Sequence, residues 1–239
     1  QDFPVRNDII ENAILPTLGR MMVGAAKGVG KTTILTQMMH ELASGEPVLG
    51  LFDVPKPVRV MMLQKEVDSE SFSRRLEQVS QHYARLQPDN ILVVNREDII
   101  DLKLDTPQGV QLLTQCIVYF KPDVVMLDPI AWFHNLDEDK SVEVKKLLAP
   151  LDKMILQFHV AMVISHHFGK TQHDNRGHPI DQNLQSLRGS SVWGDWCDTA
   201  IWMNDRGNDK ALMNMFMRNG RDEPPTVVLT RDRRNNIFE

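Results

Sequence analysis

Residues 20–33 read RMMVGAAKGVGKTT. The first five residues are a strand-like run. The next nine, AAKGVGKTT, bring Gly30, Lys31 and Thr32 to the spacing of a phosphate-binding loop, with Ala25 where the strict pattern has its first glycine. Behind them Ile34, Leu35, Met38, Met39 and Leu42 recur at helical spacing. In a strand, glycine-rich turn and helix joined this way, the backbone around Ala26, Lys27, Gly28, Val29, Gly30, Lys31, Thr32 and Thr33 surrounds a phosphate at the positive end of a helix. Lys31 would bridge the β- and γ-phosphates and Thr32 would hold Mg²⁺, so the expected cofactors are ATP and Mg²⁺. The plain alternative is a glycine-rich turn that binds nothing.

Working outward, strand-like runs at 58–63, 91–95, 123–128, 160–166 and 199–203 alternate with helical patterns. Phe72, Leu76, Val79, Tyr83 and Leu86 form one apolar face. Thr106-Pro107 is a cap followed by a first-turn proline, ahead of Val110, Leu113, Ile117 and Phe120. A fourth helix is expected over 141–158, kinked or split by Pro150. This alternation predicts an α/β fold, a mostly parallel sheet flanked by helices, with ligands at the carboxyl ends of the strands. Runs at 211–217 and 226–230 read as a hairpin completing the sheet edge. Residues 1–18 read as a lead-in segment and 19–239 as one domain, while 168–185 reads as a long polar loop.

The chain has 239 residues, a net charge of −5 and two isolated cysteines, Cys116 and Cys197. That balance excludes a globally basic nucleic-acid coat but not a local basic patch, and the lone thiols fit a reducing cytosol. No run approaches about 18 apolar residues, and the start QDFPVRNDII lacks signal-peptide form, so a cytoplasmic protein without a membrane partner is expected.

Nucleotide chemistry needs more than the loop. Asp128 ends an apolar strand and is the candidate second metal-side group, acting on Mg²⁺ through water; a helix cap is its plainer reading. Glu66, just past another strand, is the candidate base for the attacking water, with a solvated carboxylate in a first helical turn as the alternative and Asp68 as a weaker substitute. The run VISHHFGK, 163–170, places His166 and His167 at a strand tip, where they could sense phosphate, bind metal or finish a core. His159, His173 and His178 lie close in sequence, but no spacing matches a standard zinc pattern.

Taken together, AAKGVGKTT, LQKE, VVMLDPIAWFH, ISHHFGK and QSLRGSSVWGDWCDTAIWM resemble the RecA-like P-loop ATPases, and among them the RepA-like hexameric replicative helicases of plasmids and phages. The resemblance spans roughly residues 14–230 and implies a RecA-like P-loop NTPase core. It implies further that the strand after Asp128 inserts beside the loop strand, so that one of the two histidines detects the γ-phosphate. Period two lets only one of them do so, and His166 is the narrow preference. The loop that follows would carry single-stranded DNA on Lys170 and Arg176, with Arg188 touching nucleic acid or a neighbouring subunit. A homo-oligomer, a hexameric ring, with other replication proteins as partners, would complete each site with an arginine in trans. Arg206, Arg218 and Arg221 are the candidates, and Asp198 stands where the plasmid helicase has its proposed finger. The rivals are a non-translocating ATP-dependent switch, loader or recombinase-like DNA-binding ATPase, and, more remotely, a small-molecule kinase.

Overall fold

The structure is a computed structural model that describes residues 7–83, 85, 87–168, 181, 183, 191–220 and 225–239. A short pair, β1 (Asp8–Ile10) and β2 (Leu15–Pro16), precedes the loop strand β3 (Arg20–Ala25) and helix α1 (Lys31–Ser44). Then follow β4 (Val60–Gln64), α2 (Ser69–Ser80), β5 (Ile91–Val94), α3 (Pro107–Phe120), β6 (Val124–Asp128), α4 (Ser141–Phe158) and β7 (Ala161–His167). The chain ends with α5 (Val192–Trp196) and four strands, β8 (Thr199–Gly207), β9 (Lys210–Met217), β10 (Val227–Asp232) and β11 (Ile237–Phe238).

The sheet order is β11-β10-β9-β8-β3-β7-β6-β4-β5, parallel from β8 to β5. The expected α/β core is there, with β7 inserted between β3 and β6. β4, β6 and most of β7 are buried along their length, which is why their sequences read as unbroken apolar runs rather than alternations. One face is covered by α1 and Phe72 of α2, the other by α3, α4 and α5. Residues of the lead-in segment, among them Ile10, Ile14 and Leu15, join the core on the α1 side.

Three local expectations change. First, α4 runs unbroken through Pro150, because Val144, Leu147 and Leu148 before it and Leu151, Met154 and Ile155 after it are all buried on the same core. That burial outweighs the backbone hydrogen bond a proline removes. Second, α2 stops at Ser80, short of Tyr83, whose hydroxyl donates to Glu41 at 3.0 Å; Leu86 lies outside the described residues. Third, the C-terminal strands are a meander rather than one hairpin: β9 pairs with both β8 and β10, and the edge strand is β11.

Candidate active site

The loop from β3 into α1 closes on itself. Gly30 is the N-cap of α1 at φ 117°, with no side chain capping the helix, so the amides there face whatever the loop surrounds. A Cβ at Gly30 would also lie 2.7 Å from the Phe238 ring, so glycine is required twice over. Val29 N–H donates to the Ala26 carbonyl at 3.4 Å, Lys27 is exposed, and Thr33 is buried with its hydroxyl 3.4 Å from Asn236 Oδ1. Lys31 is buried, and its Nζ donates to the Ala25 carbonyl at 3.0 Å and to that of Ala26 at 3.5 Å. Burial holds its ammonium below the ordinary lysine range, opposed by the carboxylates of Asp128 and Glu66.

Those two carboxylates define the other wall. Asp128 is enclosed at the end of β6 and accepts from Thr32 Oγ1 at 2.8 Å and from the Ser165 hydroxyl. Burial pushes its carboxyl up, and the Ser165 and Thr32 hydroxyls pull it back. It caps no helix: a single 3₁₀ turn, Ile130–Trp132, follows Pro129. Two hard oxygens so close, one from an enclosed carboxylate that a cation would keep ionised, suit Mg²⁺, which takes one or two protein oxygens and completes its shell with phosphate and water. Glu66 sits half-buried between β4 and α2, near enough to Lys31 and Asp128 to act on both electrostatically. It is not in a helical turn, because Asp68 caps α2 by accepting from Ser71 N–H at 2.8 Å. Asp68 is thereby committed to the helix rather than to water.

The two histidines divide between the faces of the sheet. Val163 packs with α1, and Met162 and Ile164 pack with α4. By alternation Ser165 and His167 share the α1 face with Thr32, and His166 lies on the other. There His166 is 1% exposed, packed edge-on to Trp193 at 4.7 Å between ring centroids, with Nε2 3.6 Å from Glu138 and Nδ1 2.7 Å from the His167 carbonyl. Burial holds its imidazole below the ordinary range. The narrow preference for His166 over His167 at the phosphate is therefore not matched by their placement. Glu138 and His134, 3.3 Å apart, lie on the His166 side. Among the described residues no group of three or more His, Cys, Asp or Glu side chains is placed to hold a metal ion.

Of the arginines, Arg218 lies at the amino end of the parallel strands, its guanidinium donating to the carbonyls of Asp195 at 2.8 Å and Cys197 at 3.2 Å. Arg206 makes a two-point pair with Asp181. Asp198 accepts from Arg20 N–H at 3.0 Å and from its Nε at 3.3 Å, tying α5 to the start of β3. Arg221, Lys170, Arg176 and Arg188 lie outside the described residues, as do His173 and His178.

Sequence reasoning missed Ser165 and the whole C-terminal contribution. An open cavity of about 210 Å³ beside the loop is lined by Gly28, Val29, Lys210, Arg231, Arg233 and Phe238. Ser165 had a signal, a lone hydroxyl inside an apolar strand. Phe238, in a two-residue strand, had none.

The AAA-domain family model matches residues 1–173. No curated protein matches. Among solved structures, the KaiC-like protein PH0186 from Pyrococcus horikoshii OT3 superposes with a TM-score of 0.64 at 12% identity, covering 97% of this chain and 93% of that one, which is a likeness of fold. The chain therefore belongs to the AAA-domain family, and its core, with β7 inserted between β3 and β6, has a RecA-like P-loop fold.

Proposed function

We propose that this chain hydrolyses ATP with Mg²⁺ in a ring, hexameric in the simplest case, and uses the energy to translocate on or unwind single-stranded DNA during plasmid or phage replication. The observation that carries the catalytic part is the convergence of Lys31, Thr32, Asp128 and Glu66 at the carboxyl ends of β3, β4 and β6. Thr32 would hold the metal directly and Asp128 through water, and the metal supplies charge neutralisation between the phosphates. Lys31 exchanges its loop carbonyls for phosphate oxygens. Glu66 takes the proton of the attacking water. His167 is the residue we place at the γ-phosphate, with His166 supporting the same strand tip from behind. The nucleoside end of the ligand would extend from the loop into the cavity along Arg231 and Phe238.

The DNA reading rests on the motif order, with Lys170, Arg176 and Arg188 as the phosphate contacts, and the oligomer on the need for an arginine in trans, Arg206, Arg218 or Arg221. One observation favours the non-translocating switch or loader. The finger position is held by Asp198 on Arg20, and Arg218 is engaged by carbonyls of its own chain. ATP turnover with and without single-stranded DNA separates the two. Stimulation by DNA, together with a closed ring in mass photometry, supports the motor; unstimulated turnover by a monomer or open filament supports the switch. No turnover under either condition refutes both.

A further inference from the structure

We propose that Ser165 is a positioning residue for the metal: its hydroxyl fixes the plane of the Asp128 carboxylate so that the group meets a metal-bound water in one orientation. The inference rests on the nucleotide reading of the site and deepens it. Asp128 is 1% exposed, and its two oxygens are held separately, Oδ2 by Thr32 and Oδ1 by Ser165. A carboxylate held at one oxygen can still turn about its Cβ–Cγ bond; held at both, it cannot. Thr32 can keep donating its hydroxyl proton to Oδ2 while its lone pair faces a metal, since a hydroxyl both donates and accepts. Ser165 has no such second task. It comes from β7, which lies between β3 and β6 in the sheet, and it is fully buried.

Removing that hydroxyl has two consequences. Oδ1 loses its donor in a place where an unpaired acceptor is costly, and the carboxyl regains its rotation. Groups that orient a metal's ligands change metal affinity by about 10- to 100-fold when removed.

The test is a titration of Mg²⁺ against binding of a fluorescent, non-hydrolysable ATP analogue, which reads affinity and not turnover. Ser165→Ala should need roughly 10- to 100-fold more Mg²⁺ for half-maximal enhancement of nucleotide affinity. Its metal-free nucleotide affinity should stay within about twofold, because the loop amides and Lys31 are untouched. Ser165→Thr, which keeps the hydroxyl, should restore the wild-type midpoint. If Ser165→Ala melts below the assay temperature, Ser165→Cys takes its place, keeping the volume with a weaker donor, and should fall between the two. A Ser165→Ala midpoint equal to wild type overturns the inference and leaves the site reading standing. A wild-type chain whose nucleotide affinity ignores Mg²⁺ overturns both.

Discussion

Glu41 offers the sharpest measurement of how the helix behind the phosphate loop is held. It lies on α1 at 3% exposure, and its carboxylate receives Gln37 Nε2 at 2.9 Å, the Tyr83 hydroxyl at 3.0 Å and the Leu49 N–H at 3.1 Å. Burial nevertheless wins over these donors and pushes the group from an ordinary 4.5 up to about 7. A folded-state value above the unfolded one means that the native chain binds the extra proton, so this contribution is complete below pH 4.5 and is lost as pH rises through 7. The gap of about 2.5 pH units corresponds to about 3 kcal/mol. Whole-protein stability will not display it directly. Burial holds His40 and His166 below the ordinary imidazole range, and those groups add stability as pH rises through the same window. The comparison with Glu41→Gln cancels them. The variant carries a constant penalty, because its amide cannot accept from all three donors, but that penalty does not titrate. Urea unfolding at pH 5, 6, 7 and 8 should show wild-type stability falling relative to Glu41→Gln by about 2 to 3 kcal/mol from the lowest pH to the highest. Parallel profiles, within about 0.5 kcal/mol at every pH, would refute the burial argument.

Lys31→Ala removes the cation we place against the phosphates and should weaken binding of a fluorescent ATP analogue by roughly 10- to 100-fold; near-wild-type affinity would contradict the cradle. Glu66→Gln should bind nucleotide normally and lose about 10²- to 10⁴-fold in turnover. Asp68→Ala should turn over normally and weaken only α2, and the reverse pattern would move the base by two residues. If the chain is a DNA motor, Lys170→Ala with Arg176→Ala should leave basal turnover intact, abolish its stimulation by DNA and reduce the salt slope by up to about two counterions. In the same chain ATP and DNA must tighten each other's binding by one common factor. Wild-type DNA affinity that is indifferent to nucleotide at low salt would exclude the motor.

What was legible follows a physical division. Buried parallel strands announce themselves as apolar runs, and the loop announces itself because glycine is the residue that tolerates its geometry; Gly30 at φ 117° against Phe238 is the instance. α3 was readable to its first residue, since Thr106 accepts from Gly109 N–H at 3.1 Å ahead of Pro107 at the first turn. What failed was decided by contacts distant in sequence. Pro150 carries a local signal to break a helix, overridden by a core that α4 meets on both sides of it. β11 has two residues and no periodicity, and it is held because Gln37 of α1 accepts the Phe238 N–H at 2.7 Å and donates to the Phe238 carbonyl at 2.9 Å.

The histidine pair shows where the boundary lies. Period two establishes that His166 and His167 face opposite sides of the sheet, and nothing within VISHHFGK says which side holds the nucleotide. Register does. β6 and β7 run parallel with Met126 opposite Val163 and Leu127 opposite Ile164, so the next pair would be Asp128 and Ser165, side chains on one face. Asp128 is bound to Thr32 at the start of α1, the face on which we place the phosphates. His167, two residues beyond Ser165, belongs to it, and His166 turns to Trp193 instead. The serine that precedes the pair thus carries the information the pair lacks. A polar residue inside an apolar strand, in register with an acid at the end of the neighbouring strand, marks the chemical face of the sheet before either histidine does.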